Sequence, residues 1–257
     1  MNCFFVHTPY SKLSRAIEVL PALGVGPEIY ISSQDFDRGV DEKELKVYAR
    51  RMRDAGLQCT IHAPFVDLSP AGTDAKVVAI TRERFQRIFA AAEIFHPLVM
   101  VFHTGYDRWK FALNMPFWLE NSRKFWLPFV DLAAEVDTFI AMENIFETSP
   151  IGLKMLIDAI GSPRFGTCFD IGHWSLFSQV DLGEWLALLR NNIFSLHLHD
   201  NRGYFDDHLV PGDGLIDFVA LKMLLIDLSI KPLAYTFEPH DIRDLERGVT
   251  WLRAQYG

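Results

Sequence analysis

The chain has 257 residues, of which 49% are hydrophobic and 23% charged, and its formal net charge at pH 7 is −8. This apolar content can form a large core, and the length suits two small domains or one α/β barrel of about 250 residues. No low-complexity run, linker or break in composition divides the chain, so we expect one domain over residues 1–257. The acidic balance argues against broad nucleic-acid binding, which uses clustered Lys and Arg.

The cysteines and the apolar runs bear on the cellular compartment. Cys3, Cys59 and Cys168 are far apart and form no C-x-x-C pair, which predicts buried thiols in a reducing compartment. The amino terminus lacks the basic lead and long apolar region of a signal peptide. No apolar run approaches the roughly 18 residues of a membrane span. We therefore expect a cytoplasmic protein with no membrane partner.

Short β-rich runs alternate with helical patterns from end to end. The predicted strands cover residues 3–7, 28–31, 58–62, 98–103, 138–144, 165–170, 194–199 and 233–238. The predicted helices cover residues 11–23, 41–55, 74–95, 116–135, 150–160, 181–190, 215–228 and 241–255. The strands are mostly apolar throughout, which is typical of parallel strands buried on both faces. Eight strand–helix repeats predict an α/β fold, a single (β/α)8 TIM barrel, and the alternative is a doubly wound open sheet.

Polar side chains stand at the ends of six consecutive predicted strands. These are His62, His103, Glu143, Asp170, His197 and Glu238, and the loops add His173, Asp206 and His208. The active face of a TIM barrel is formed by the loops after the strands, so these residues are expected to converge. Imidazole and carboxylate groups together suit Zn²⁺, Mn²⁺ and similar ions. The pattern predicts a divalent-metal site at the mouth of the barrel.

Seven short segments, in order along the chain, resemble the xylose isomerase-like TIM barrels. They are "IHAPFVDL", "FHTG", "MEN", "CFDIGH", "LHLHDN", "DDHLVPGDG" and "TFEP", and they cover strands three to eight. That superfamily contains the endonuclease IV-type AP endonucleases (AP endonuclease family 2) and many sugar or sugar-phosphate isomerases and epimerases. The resemblance implies an enzyme that uses one to three divalent ions, Zn²⁺ or Mn²⁺.

The two branches of the superfamily imply different ligand sets. Resemblance to the endonuclease IV type implies three zinc ions held by nine residues: His62, His103, Glu143, Asp170, His173, His197, Asp206, His208 and Glu238. Resemblance to the epimerases implies one Mn²⁺-like ion held by Glu143, Asp170, His197 and Glu238. There, Glu143 and Glu238 are also the catalytic pair that transfers protons. His197 is preferred to His199 because its spacing to Asp200 resembles the His-x-x-Asp end of strand seven in the endonuclease family.

The loops distinguish the branches. Phe65 stands where the endonuclease family carries a tyrosine used on DNA, and "IFETSPIG" replaces the Gly-rich stretch expected after "EN". "DIGHW" and "HLHDN" look more like the sugar-isomerase branch. We therefore predict an isomerase or epimerase acting on a small sugar or sugar phosphate. The alternatives are an endonuclease IV-like phosphoester hydrolase, with DNA as its substrate, and a non-catalytic barrel that binds a ligand or partner through the metal pocket.

Other residues are predicted to contact the substrate. His7 ends the first strand and is expected to support a metal ligand or to face the substrate. His199 is expected to orient ligands or to contact the substrate. Arg108 and Arg202 would hold a phosphate by bidentate hydrogen bonds, or else lie in solvated loops. The aromatic segment 108–129 is expected mainly to pack as a helix on the barrel. Its remainder would serve as an apolar lid or a homo-oligomer contact.

The loop 201–214 contains little apolar surface beyond Tyr204, Phe205, Leu209 and Val210. If Asp206 and His208 bind metal, this loop folds over the barrel mouth. We then expect the ion, rather than the loop's own packing, to order it. The alternative for both residues is an ordinary polar turn.

Overall fold

The barrel closes completely. In a computed structural model that describes residues 3–257, eight parallel strands pair in sequence order and β1 also pairs with β8. The strands are β1 (Cys3–Pro9), β2 (Gly26–Tyr30), β3 (Thr60–His62), β4 (Val99–His103), β5 (Phe139–Glu143), β6 (Phe165–Asp170), β7 (Ile193–Leu198) and β8 (Ala234–Phe237). The pairing of β1 with β8 confirms the (β/α)8 barrel and excludes the open sheet.

Helices connect the strands and surround the barrel. They are α1 (Leu13–Leu23), α2 (Ser33–Asp37), α3 (Glu42–Asp54), α4 (Ala75–Phe95), α5 (Arg108–Phe111), α6 (Met115–Glu135), α7 (Ile151–Ile160), α8 (Ile171–Phe177), α9 (Leu182–Leu189), α10 (Phe218–Asp227) and α11 (Leu245–Tyr256). The eight predicted helices correspond to all of these except α2, α5 and α8. Those three are too short for a 3.6-residue period to appear in the sequence.

The aromatic segment 108–129 divides between core and solvent. Trp118 and Trp126 on α6 are fully buried, and Trp126 packs against Phe102 of β4 with ring centroids 5.0 Å apart. Trp109 on α5, by contrast, is 87% exposed. The prediction of a helix packed on the barrel is therefore confirmed for α6, whereas α5 buries Phe111 but leaves Trp109 in solvent.

The remaining expectations concern the cysteines and membrane spans. All three cysteines are free thiols, and Cys59 and Cys168 are buried. Burial raises the pKa of both thiols to about 12, so they stay protonated at neutral pH. Within residues 3–257, no helix combines the length and the apolar character needed to cross a membrane.

Candidate metal centre and active site

The strands place the predicted ligands around the barrel mouth. His62, His103, Glu143 and Asp170 are the last residues of β3 to β6, His197 is the last but one of β7, and Glu238 directly follows β8. The register sets His103 opposite Glu143 and Asp170 opposite His197. Because parallel strands of a barrel all end on one face, strand order alone brings these side chains together.

One imidazole nitrogen faces three carboxylates at the centre of this face. Nδ1 of His197 lies 3.2 Å from Glu143 Oε1, 3.2 Å from Glu238 Oε1 and 3.8 Å from Asp170 Oδ2. All four side chains are buried. The ligand atoms of a tetrahedral ion, bound at about 2.1 Å, are about 3.4 Å apart. This central group therefore has the spacing and donor chemistry of a divalent-metal site, and a cation would offset the repulsion among its carboxylates.

Two histidines extend the central group on one side. Nε2 of His62 and Nε2 of His103 each lie 3.1 Å from Glu143 Oε2. This is the second oxygen of the carboxylate whose first oxygen faces His197. Glu143 can therefore bridge two ion positions. Phe65, which replaces the DNA-handling tyrosine, stacks on His103 with ring centroids 4.0 Å apart.

His173, Asp206 and His208 form a third group. Nε2 of His173 and Nε2 of His208 lie 3.2 Å and 2.9 Å from Asp206 Oδ2, and Nδ1 of His173 is 3.3 Å from Glu143 Oε1. All nine predicted ligands thus form one continuous network. His208 has φ 51°, a left-handed backbone that is costly outside glycine and that concentrates at functional sites.

His199 also belongs to this network. Its Nε2 lies 3.0 Å from Asp170 Oδ2 and its Nδ1 lies 3.6 Å from Asp206 Oδ1. Its ring stacks on His208 with centroids 3.9 Å apart. Gly172 permits this approach, because a Cβ there would lie 2.1 Å from the His199 ring. His199 therefore has distances suited to a ligand, so the preference for His197 stays a prediction.

His197 and the carboxylates around it favour each other's charged forms. Burial would lower the pKa of His197, but the surrounding carboxylates raise it well above its usual range. Burial would likewise raise the pKa of Glu143, but His197 and His103 hold it well below its usual range. An ion bound here would take the place of protons on the histidines.

We expect metal binding to release protons and to tighten as the pH rises. Burial alone would lower the pKa of His7, yet the Glu238 and Glu28 carboxylates raise it to about 9, and the pKa of His197 is also raised. Without a bound ion, the stabilisation from protonated His7 is complete below about pH 6.5 and is lost as the pH rises through about 9. Metal ligands must instead be deprotonated. The rise in melting temperature on adding Zn²⁺ or Mn²⁺ should grow between these two pH values, and a constant rise would contradict the expectation.

Glu28 is a site residue for which the sequence patterns predict no role. It lies on β2, is fully buried, and places Oε1 3.1 Å from His197 Nε2. Its Oε2 accepts hydrogen bonds from the hydroxyls of Thr60 and Thr236, both at 2.9 Å. A carboxylate beside the far nitrogen of a metal-binding histidine fixes the ring's tautomer and orientation. The sequence feature that could have identified Glu28 is its position within an otherwise apolar strand, because a buried carboxylate needs a partner.

Glu28→Gln should lower the affinity of the central group for its ion by about 10- to 100-fold, because glutamine keeps the size but not the charge beside His197. Competition against a chromophoric chelator measures this affinity. Glu18→Gln, on the exposed face of α1, is the matched control and should bind metal like the native protein. Equal affinities for the Glu28→Gln and Glu18→Gln variants would remove Glu28 from the site.

A buried carboxylate anchors the loop 201–214. Asp200, just past β7, accepts four backbone N–H hydrogen bonds at 2.9–3.1 Å, from Asn201, Gly212, Gly214 and Ile216. A Cβ on Gly214 would lie 2.3 Å from Asp200 Oδ1, so this turn requires glycine. We expected an ion, rather than the loop's own contacts, to order this segment. The structure instead shows that hydrogen bonds to Asp200 also hold it in place.

The network opens into a cavity of about 420 Å³, whose wall includes Tyr30, Phe65 and His240. His7 also lines it, with Nδ1 3.3 Å from Glu238 Oε1, as a substrate-facing role requires. The two predicted phosphate ligands lie elsewhere. Arg108 lines an adjoining cleft. Arg202 is exposed, lies 3.5 Å from Asp207, and lines neither the cavity nor that cleft. Phosphate binding by these arginines stays a prediction.

A family model and a known protein match most of the chain in sequence. The family model described as xylose isomerase-like TIM barrel matches residues 24–255. The uncharacterized protein MJ1311 of Methanocaldococcus jannaschii is 28% identical over 207 residues, which are 77% of this chain and 70% of that protein.

Solved structures superpose over nearly the whole chain. A D-tagatose 3-epimerase-like protein has a TM-score of 0.84 at 24% identity, covering 98% of this chain and 96% of its own. The TTHB071 protein from Thermus thermophilus, soaked with ZnCl2, has a TM-score of 0.82 at 25% identity, covering 99% and 98%. A D-psicose 3-epimerase in the presence of D-fructose has a TM-score of 0.80 at 14% identity, covering 98% and 97%. Since the family model spans nearly all of the chain, this protein belongs to the xylose isomerase-like TIM barrel family.

Proposed function

We propose that the protein is a divalent-metal-dependent isomerase or epimerase of a small sugar or sugar derivative. The observation that carries the proposal is the placement of Glu143 and Glu238. Each has a carboxylate oxygen 3.2 Å from the same His197 nitrogen, and both line the 420 Å³ cavity. A cavity of this size suits a small molecule. The names of the superposed 3-epimerases support a sugar as that molecule.

The donor set fits a divalent ion, which Glu143, Asp170, His197 and Glu238 would hold. When bound, such an ion would polarise a substrate carbonyl and make the neighbouring C–H proton more acidic. Carboxylate and imidazole donors suit Zn²⁺ and Mn²⁺ alike. The spacing of about 3.2 Å between these donors supports the assignment.

The proton transfer itself belongs to the two glutamates. Burial would raise the pKa of Glu143 and of Glu238, but neighbouring histidines hold both well below their usual range, so both are bases at neutral pH. One carboxylate accepts the proton as the C–H bond breaks, and the other, once it has taken up a proton from solvent, delivers that proton to the opposite face of the same carbon. His7, 3.3 Å from Glu238, is placed to pass a proton between that carboxyl and solvent.

The test is a substrate panel. The purified protein, supplied with Mn²⁺, Co²⁺ or Zn²⁺, is incubated in deuterated water with ketohexoses, ketopentoses and their phosphates. We expect interconversion of a pair of epimers or isomers, with solvent deuterium on the reacting carbon. Glu246→Gln on the exposed start of α11 is the matched control and should retain activity. The absence of any conversion would overturn the proposal.

A second candidate is a phosphoester hydrolase of the endonuclease IV type. It is favoured by the group of His173, Asp206 and His208, together with His62 and His103, since a one-ion isomerase has no need of these five residues. The test is incubation of the zinc-loaded protein with a duplex that contains an abasic site. Incision that disappears in an Asp206→Ala variant would favour the hydrolase, and no incision at any protein concentration would exclude the DNA version.

A further inference from the structure

We infer that the substrate carries a second sugar ring, as in a keto-disaccharide or glycoside, and that this ring binds in a cleft beside the inner cavity. The inference rests on the proposed sugar epimerase function and specifies its substrate class. The cleft, here called the outer cleft, has a volume of about 710 Å³ and is lined by residues 65–68, 103–109, 145–146, 148, 176–177 and 179.

The outer cleft is continuous with the inner cavity. Phe65, His103, Ile145, Phe146 and Phe177 line both spaces. A sugar whose reacting carbon lies beside Glu143 can therefore extend directly into the outer cleft through a substituent. A free monosaccharide would leave the larger of the two spaces without a ligand.

The walls of the outer cleft suit a sugar ring. Trp109 is 87% exposed and Phe146 56% exposed, so each presents aromatic surface to a ligand, although Arg108 lies over one face of Trp109. Asp67 and Gln179 add a carboxylate and an amide to the same wall. A pyranose has C–H groups on its faces and hydroxyls around its edge. Aromatic faces pack against the C–H groups, and carboxylate or amide oxygens accept hydrogen bonds from the hydroxyls.

The charges of the outer cleft favour a neutral ring over a phosphate. Arg108 is the only lysine or arginine among the described residues that line it, and Asp67 and Asp107 oppose its charge. The Arg108 guanidinium lies 5.0 Å from the centre of the Trp109 ring, where it interacts with the aromatic face. A phosphate site would instead require several converging donors.

The floor of the outer cleft is held by a buried carboxylate. Glu147 accepts hydrogen bonds from the Thr104 hydroxyl at 2.6 Å and from the Ile145 backbone N–H at 2.7 Å. The Thr104 hydroxyl in turn accepts the Tyr106 backbone N–H at 3.0 Å. These bonds join the loop after β4 to the loop after β5. The cleft is therefore preformed, as small-molecule sites usually are.

The experiment compares D-fructose with the keto-disaccharides isomaltulose, turanose and leucrose, which are fructose units that carry a glucosyl group. With the metal-loaded protein, kcat/KM for at least one disaccharide should exceed that for D-fructose about tenfold or more, because binding of the remote ring contributes to the transition state. Trp109→Ala should reduce this ratio to near unity. Leu113→Ala is the matched control, because Leu113 is exposed nearby but is not among the lining residues, and it should preserve the ratio.

The outcomes separate the two proposals. Turnover of ketoses with no preference for any disaccharide would overturn the outer cleft as a sugar site and leave the epimerase function standing. Failure to turn over any sugar would overturn the epimerase function. The cleft would then be judged by tryptophan fluorescence: saturable quenching by isomaltulose that weakens in Gln179→Ala, which alters the cleft wall but keeps Trp109, supports it, and the absence of quenching removes it. A change in oligomeric state of Trp109→Ala would instead assign the cleft to a second copy of the chain and overturn the inference.

Discussion

Replacing Glu143 or Glu238 by glutamine should lower kcat/KM for epimerisation by about 10²- to 10⁴-fold, the contribution typical of a positioned acid or base. In the proposed mechanism each glutamate acts on one face of the reacting carbon, so neither can replace the other. Glutamine has nearly the same size and still presents a carbonyl oxygen towards His197, but it cannot accept the proton. Steady-state kinetics on each epimer, together with the metal content of each variant, measure the effect.

Isotope exchange separates loss of proton transfer from loss of structure. In deuterated water, each variant should still exchange the substrate proton of the one epimer whose C–H bond faces its remaining glutamate, without forming the other epimer. The two variants should therefore exchange opposite epimers. Glu246→Gln, a carboxyl-to-amide change on the exposed start of α11, should behave like the native protein. Exchange of the same epimer by both variants would refute the assignment of one glutamate to each face.

The double variant Asp206→Ala, His208→Ala should lose about one equivalent of bound metal, while the ion of Glu143, Asp170, His197 and Glu238 remains. Asp206 Oδ2 is the atom that both His173 and His208 approach, at 3.2 Å and 2.9 Å. Replacing Asp206 therefore removes the oxygen that the third group shares. The central group shares neither of the two replaced side chains. Elemental analysis of the purified protein counts the ions. Unchanged metal content would mean that Asp206 and His208 belong to an ordinary polar turn and bind no metal.

Asp213→Ala is the matched control for this variant. Asp213 lies in the same loop but pairs with Arg247 on the surface, at 2.8 Å, away from the nine ligands. It should keep the full metal content.

Because Asp200 anchors the loop 201–214 through four backbone hydrogen bonds, we also expect the loop to resist proteolysis after chelation. Early cleavage within 201–214 would restore the view that the ion orders it.

The barrel and the shared face of the six polar strand ends could be predicted from the sequence because both depend on local patterns. The full set of nine ligands follows from the family resemblance and stays a prediction. Continuous apolar runs mark parallel strands that are buried on both faces, and the ends of such strands must share one face of the barrel. His62, His103, Glu143 and Asp170 could therefore be grouped before any contact between them was known. The boundaries of the short helices α2, α5 and α8 could not be predicted, because four to seven residues carry too little periodicity.

Only the tertiary structure decided which interior side chains meet. Glu28 on β2 contacts His197 on β7 across the barrel, and its other oxygen is held by Thr60 and Thr236 on strands far apart in the chain. His199 gained its place beside Asp170 through the close approach that Gly172 allows. The outer cleft likewise arises where four separate loops converge. Such contacts depend on strand register and on how side chains pack inside the barrel, and no local pattern in the sequence specifies either one.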